Sequence, residues 1–248
     1  MDSSARVGAA CVGAVLTKTN MPDITVLMGP QGAGKGTQAH LLAERLKLPL
    51  VATGDILREM AHSDEPLGLQ VRRVQAAGQL VSDDILAEVV KTRLSRSDCE
   101  GGWVLDGFPR TLPQVKLLER IAEPLGHRIT VISIEVPREL LFKRLAGRQT
   151  CSACGAIYNI YFKPSKQEGI CDLDGQKLFT RSDDNEEAIA QRLALYDEKT
   201  RPLLDYYAES GRLYKVDGTG APEDVFRRIV SILGRQAAFD ASRLQPRD

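Results

Sequence analysis

The sequence predicts an α/β protein whose core is a doubly wound parallel sheet. Three observations carry this. Short apolar runs, ITVLM at 24–28, WVLDG at 103–107, ITVISIEV at 129–136 and LYKVDG at 213–218, read as buried strands. Helix-like sequence separates each run from the next, the alternation that a parallel sheet with crossover helices requires. The first run ends in a glycine-rich turn, GPQGAGKGT at 29–37, and the helical stretch TQAHLLAERLKL follows at once.

Along the chain, residues 1–21 are small, mildly apolar and poor in charge. They read as a disordered extension, a start upstream of a natural beginning at Met21, or a weak signal or transit segment. The core is assigned to 22–51, 82–146 and 185–234. Two stretches break its rhythm. Residues 52–81 are helical and polar, with no strand of their own. Residues 147–184 hold three cysteines, several aromatics and turn residues, and predict a small β-rich unit of short antiparallel strands. Residues 235–248 lack a sustained pattern and read as a frayed tail.

Composition narrows the function classes. The 248 residues, 43% of them hydrophobic, can fill one large domain or a core with inserted subdomains. Thirty-three basic and 33 acidic residues leave no net charge, so neither nucleic acid nor a membrane surface is an expected partner. Any basic site must be local. No run of about 18 apolar residues occurs, so no transmembrane helix is expected. Of the five cysteines, Cys11, Cys99, Cys151, Cys154 and Cys171, three fall in one short stretch. That pattern reads as a metal site in a reducing, cytoplasmic setting rather than as a disulfide framework.

The turn at 29–37 fits the phosphate-binding pattern G-x-x-x-x-G-K-[ST], with its threonine one place late. Gly32, Ala33, Gly34 and Gly36 let backbone N–H groups turn toward phosphate oxygens, and the helix N-terminus favours an anion. Lys35 adds a mobile charge for the β and γ phosphates, and Thr37 places a hydroxyl near a magnesium shell. A ligand-free glycine turn is the alternative, and the strand before and helix after it argue for phosphate. Such a P-loop does not by itself separate kinases from GTPases or motor ATPases. Asp106 ends the strand WVLD and can hold magnesium through water, or act as a structural cap.

Six segments in order carry a family resemblance: GPQGAGKGTQA, ATGDILR at 52–58, AGQLVSDD at 77–84, LDGFPRTLPQ at 105–114, the cysteine-bearing unit, and RSDDNEEAIAQRL at 181–193. From about residue 24 to about residue 232 the chain resembles the long-lid adenylate kinases, within the nucleoside monophosphate kinases. The resemblance implies a P-loop core, an NMP-binding insert at 52–81 and a metal-binding lid at 147–184. It implies the reaction ATP + AMP to two ADP with Mg2+, a place in adenine nucleotide homeostasis and salvage, and a monomer.

It also implies roles. Thr53, Gly54 and Arg58 resemble residues that hold AMP, and Gln79, Leu80 and Val81 the backbone that lines its adenine. Gly107, Phe108, Pro109 and Arg110 match a second AMP contact, and Gln114 the side chain that meets the base. Arg144 and Arg148 resemble ATP-side arginines, while Ile157 and Tyr158 resemble lid residues that cover the ATP ring. Gly220 sits where a carbonyl meets the ATP adenine, and Arg181 and Arg192 match the pair that closes on the phosphates being exchanged. Physics asks for the same residue type, because two bound nucleotides crowd negative charge and the planar arginine fork binds phosphate oxygens in pairs. Asp183 and Asp184 are expected to pair with arginines on closure, a solvated acidic run being the alternative.

In the lid, CSAC at 151–154 and CDLD at 171–174 place C-x-x-C and C-x-x-D sixteen residues apart. Such knuckles can bring Cys151, Cys154, Cys171 and Asp174 to one tetrahedral centre, with zinc in a closed structural site. A Cys151–Cys154 disulfide and metal-free thiols are the alternatives, and Asp172 is a poorer ligand on spacing. Gln31, Gln79 and Gln149 depart from the common family residues without removing a needed group. Two rivals remain: another acceptor or donor nucleotide, and a nucleotide switch or zinc-dependent binding module.

Overall fold

The computed structural model describes residues 24–77 and 79–243. The extension at 1–21 with Cys11, Gly78, and the end of the tail at 244–248 lie outside the described residues. Strands β1 (Ile24–Met28), β2 (Leu50–Ala52), β3 (Trp103–Asp106), β4 (Ile129–Glu135) and β8 (Leu213–Asp217) form one sheet. Its order is β2-β3-β1-β4-β8, and every pairing is parallel.

Period-two alternation sorts the strand residues onto two faces. Ile24, Val26, Met28, Trp103, Leu105, Ile129 and Val131 belong to one buried cluster. Leu27, Val104, Ile132 and Ile134 belong to the other. Helices α4 (Asp83–Leu94), α5 (Leu112–Ala122) and α8 (Pro202–Glu209) cover the first face through Val90, Leu118 and Tyr207. Helices α1 (Lys35–Leu46), α6 (Arg138–Ala146), α7 (Glu186–Leu195) and α9 (Pro222–Arg243) cover the second through Leu42, Leu145, Ile189 and Ile229. This is the doubly wound core that the alternation of runs implies.

The core strand β2 was not legible in the sequence. It spans three residues and runs straight into α2 (Thr53–Ala61), so it leaves no apolar run of its own. The C-terminal end also departs from expectation. Helix α9 continues to Arg243, past the expected start of a frayed tail at 235, because 235–243 holds neither glycine nor proline to stop it. Among the described residues, no helix is long and apolar enough to cross a membrane.

Two units project from this core. Helices α2 and α3 (Pro66–Ala76) enclose a small cluster of Leu57, Ala61, Val71 and Val81, to which Leu86 of α4 is added. The second unit is a three-stranded antiparallel sheet, β6-β5-β7, from β5 (Arg148–Cys151), β6 (Ile157–Asn159) and β7 (Leu178–Phe179). Its buried cluster holds only Cys151, Tyr158 and Cys171, with Ala156 and Leu178 packed against it.

Candidate active site

The winding of the sheet reverses at β1, and the loop that leaves β1 therefore opens at the carboxyl edge where ligands dock in such sheets. That loop needs its glycines. Gly29 has φ +138°, and a side chain there would meet the Ile134 carbonyl at 2.6 Å. The loop passes into α1, whose first turn has neither an acidic residue nor a side-chain cap, so its N–H groups face the cleft available to an anion.

Lys35 opens α1 and folds back over the loop, donating to the carbonyls of Gly29 and Pro30 at 2.8 and 2.9 Å. Desolvation in the cleft lowers its pKa to about 8, against the pull of Asp106, while Arg110, Arg148 and Arg192 add to the lowering. Asp106 ends β3 beside Gly36, where a side chain would come within 3.4 Å of Asp106 Oδ2. Burial raises the Asp106 pKa, with Lys35 and Arg110 opposing.

The turn after β3 carries Gly107 to Arg110. Gly107 has φ +83°, and a side chain there would strike Thr53 Oγ1 at 2.8 Å. Thr53 Oγ1 donates to the Asp106 carbonyl at 3.2 Å, tying the start of α2 to the end of β3. Buried Phe108 and the cis Phe108–Pro109 peptide shape the turn. Arg110 donates from Nε to the Gly107 carbonyl at 2.7 Å. Thr200, in a one-turn π-helix between α7 and α8, donates its hydroxyl to the Arg110 carbonyl at 3.1 Å.

More cations converge on this cleft. Arg148 donates to Asp184 from Nε at 2.7 Å and from Nη2 at 2.5 Å. Arg192 bridges Asp183 and Asp184, both at 2.9 Å. Arg181 lies 3.2 Å from Asp183. The Asp184 side chain is fully buried, so these are paired groups and not a solvated acidic run. Burial, then Arg148 and Arg58, push Arg181 down to about 10. Burial lowers Arg110 too, with Asp106 opposing and Arg192 and Arg58 adding. Burial alone would raise the Asp183 pKa, yet Arg181, Arg192, Arg148 and Arg58 hold it below its ordinary value. Arg58 itself pairs with Asp55 on α2. Arg144 donates to the carbonyls of Gly218 and Gly32 at 3.1 and 3.4 Å, bridging the loop after β8 to the glycine loop.

The family model described as adenylate kinase matches residues 27–212. The chain belongs to the adenylate kinase family. The adenylate kinase of Bacillus subtilis strain 168 is 45% identical over 210 residues, which are 84% of this chain and 97% of that protein. That of Syntrophobacter fumaroxidans is 43% identical over 210 residues, 84% of this chain and 99% of the relative. That of Clostridium botulinum strain Loch Maree is 42% identical over 211 residues, 85% and 98% respectively. Membership makes the chain a nucleoside monophosphate kinase, a phosphotransferase.

Within that frame the structure brings Lys35, Asp106, Arg58, Arg110, Arg148, Arg181 and Arg192 around one cleft. Thr37 stands in the first turn of α1, and Gly54 in that of α2. Gln79 and Leu80 lie in the segment between α3 and α4, while Val81 is buried in the small insert cluster. Gly220 lies in the exposed loop before α9. On β6 the Ile157 side chain faces outward, 39% exposed, whereas Tyr158 is 3% exposed and packs among the cysteines. Sequence reading also missed Asp83, Thr111 and Thr200, which hold Gln114 and Arg110 in place.

In the lid, the ligand atoms of Cys151, Cys154, Cys171 and Asp174 all lie within 4.8 Å of one another. Cys151 Sγ is 3.3 Å from Asp174 Oδ2, and Cys154 Sγ is 3.7 Å from Cys171 Sγ. Three thiols and a carboxylate facing one point are the donor set of a closed zinc site, so the residues fit the metal. The four cysteines among the described residues are free, which removes the Cys151–Cys154 disulfide.

The lowered Lys35 pKa gives a pH signature. The protonated amine binds phosphate, so kcat/KM for ATP is expected to fall about tenfold per pH unit above an apparent pKa near 8. In a Lys35→Met variant the value is expected to be lower throughout, with that alkaline limb missing. The sign for stability is opposite. Between about 8 and 10.5 the unfolded chain keeps the proton that the folded one has lost, so the free protein gains stability from this group as pH rises through that window. Initial-rate and urea titrations across this range check both.

Proposed function

We propose that this chain catalyses reversible transfer of the terminal phosphoryl group of ATP to AMP, giving two ADP. The observation that carries the reading is the set of cations around one cleft: Lys35 and Arg110 from the core, Arg58 from the insert, and Arg148, Arg181 and Arg192 from the lid and its exit. One polyphosphate does not need so many fixed charges drawn from three parts of the chain. Two phosphate chains brought end to end do.

In this reading ATP lies on the loop Gly32 to Thr37, with Lys35 at its β and γ phosphates. Gly220, Ile157 and Tyr158 frame its base, and Arg144 and Arg148 flank its phosphates. AMP lies between the insert and the turn after β3. Thr53, Gly54 and Gln114 meet its nucleoside and Arg58 and Arg110 its phosphate, with the backbone of Gln79, Leu80 and Val81 and the turn residues Gly107, Phe108 and Pro109 lining the pocket. Arg181 and Arg192 exchange their aspartate partners for the migrating group. Adenylate kinases use Mg2+ with ATP, and half-buried Asp106 and Thr37 in the first turn of α1 are the residues that would hold that ion. When bound, the ion draws charge from the β and γ phosphates. The protein's part is in-line placement and exclusion of water, because water admitted to the cleft would accept the phosphoryl group. Closure of the lid and insert supplies both.

We further propose zinc as the lid metal, held by Cys151, Cys154, Cys171 and Asp174 in a structural role. A cytoplasmic monomer without nucleic-acid or membrane partners completes the reading.

The direct assay follows ADP formation from ATP with AMP, UMP, CMP and GMP. Strict dependence on AMP and two ADP per AMP consumed are expected; ATP hydrolysis without an acceptor would point to a switch instead. For the lid, Cys171→Ser is expected to lose the metal, measured with a chromophoric chelator, and to lower Tm by about 5–10 °C. Unchanged melting with unchanged metal content would count against the clip.

A further inference from the structure

At the expected base-reading end of the cleft a buried side chain is held in one orientation by a residue with no assigned role. Gln114 is 1% exposed. Its Oε1 accepts the Arg110 backbone N–H at 2.7 Å. Its Nε2 donates to Asp83 Oδ1 at 2.5 Å. Asp83 stands in the first turn of α4, where the chain returns from the insert, and its carboxylate also accepts the Thr111 hydroxyl at 3.0 and 3.2 Å.

A primary amide has two orientations of nearly equal shape, related by a half turn about its last bond. The choice matters to a purine. Adenine offers an amino donor at C6 beside a ring-nitrogen acceptor, whereas a 6-oxopurine offers an oxygen acceptor beside a protonated nitrogen. A base anchored through its ribose and phosphate cannot turn over to suit the amide, so the order of oxygen and nitrogen on Gln114 decides which base fits. Each end of that amide keeps capacity to spare: one N–H, and one lone pair on Oε1.

The surroundings permit one order. A carboxylate only accepts, and a backbone N–H only donates. Turning Gln114 over would set oxygen against Asp83 and NH2 against the Arg110 N–H, replacing two hydrogen bonds with two repulsions in a buried place. We propose that Asp83 is a positioning residue for base selection: by fixing the Gln114 amide it makes the acceptor pocket take a 6-aminopurine monophosphate and refuse a 6-oxopurine one. This rests on the reading above that Gln114 meets the acceptor base. Asp83 acts through Gln114 and touches no nucleotide.

The test compares AMP with IMP, its 6-oxo analogue, at saturating ATP. Asp83→Asn keeps the shape and an acceptor but adds a donor, so the turned amide is opposed by the Arg110 N–H alone and the preference for one order weakens. The AMP-to-IMP ratio of kcat/KM is expected to fall about tenfold, with the change in KM for the acceptor rather than in kcat. In a Gln114→Leu background the same substitution should leave the ratio alone. Thr111→Val, which frees the carboxylate from its second hold, should lower the ratio about threefold and tests the relay even if Asp83→Asn does not fold. An unchanged ratio in a folded Asp83→Asn or Thr111→Val protein, or an equal loss of kcat with both acceptors, overturns the proposal. If Gln114→Leu itself leaves the ratio unchanged, the failure lies in the reading of Gln114 as the base contact and not in the relay alone.

Discussion

Like charges held close together and partly shielded from water are the constraint around which this protein is arranged. Lys35, Arg110 and Arg181 hold their protons less tightly than usual, first because burial desolvates them and then because neighbouring Arg58, Arg148 and Arg192 repel the added charge. Two aspartates keep half of that set in order. Asp184, wholly buried, takes a two-point bond from Arg148 and another from Arg192, and Asp183 takes Arg192 and Arg181. A buried acid with several arginine partners is stable only while those partners remain, because each charge left alone would face a large desolvation cost. The cluster is therefore a poised arrangement. Its arginine forks have the planar geometry that also matches phosphate oxygens in pairs.

The rest of the fold serves that placement. The sheet offers a rigid edge on which Lys35 and Asp106 sit a few residues from buried strands, and the insert and lid bring further arginines from outside. The two projecting units differ in how they stay folded. The insert has a small apolar cluster of its own, centred on Leu57, Val71 and Val81. The lid has almost none: Leu173, Phe179, Tyr161 and Phe162 are exposed, and two of its three buried cluster members are cysteines. A metal tying Cys151, Cys154, Cys171 and Asp174 would do for the lid what apolar burial does for the core. Tyr158 joins in, its hydroxyl accepting the Asp172 N–H at 2.8 Å and lying 3.5 Å from Cys171 Sγ.

Local chemistry was legible in the sequence, and long-range coupling was not. The glycine loop, Lys35 and Asp106 declare themselves because the residues that act together are neighbours in the chain or end an apolar strand. The four longer strands show as apolar runs, whereas β2 is too short to do so. That Tyr158 and not Ile157 points inward was not legible either: period two says that one of two neighbours does so, but a unit with so little core gives no register to say which. Asp83 reads as an ordinary acid at a helix start; its partner Gln114 lies 31 residues away, and no local pattern links them. Thr200 is hidden for the same reason, 90 residues from Arg110.

Titration calorimetry with a dinucleoside polyphosphate that joins two adenosines through five phosphates tests the central claim most directly. The account predicts one such molecule bound per chain, displaced by ATP and by AMP, with enthalpy lost when Arg110 or Arg192 is replaced by alanine. Displacement by ATP with indifference to AMP, or affinity no greater than that for ATP alone, would mean that the cleft has room for one phosphate chain, and would contradict it.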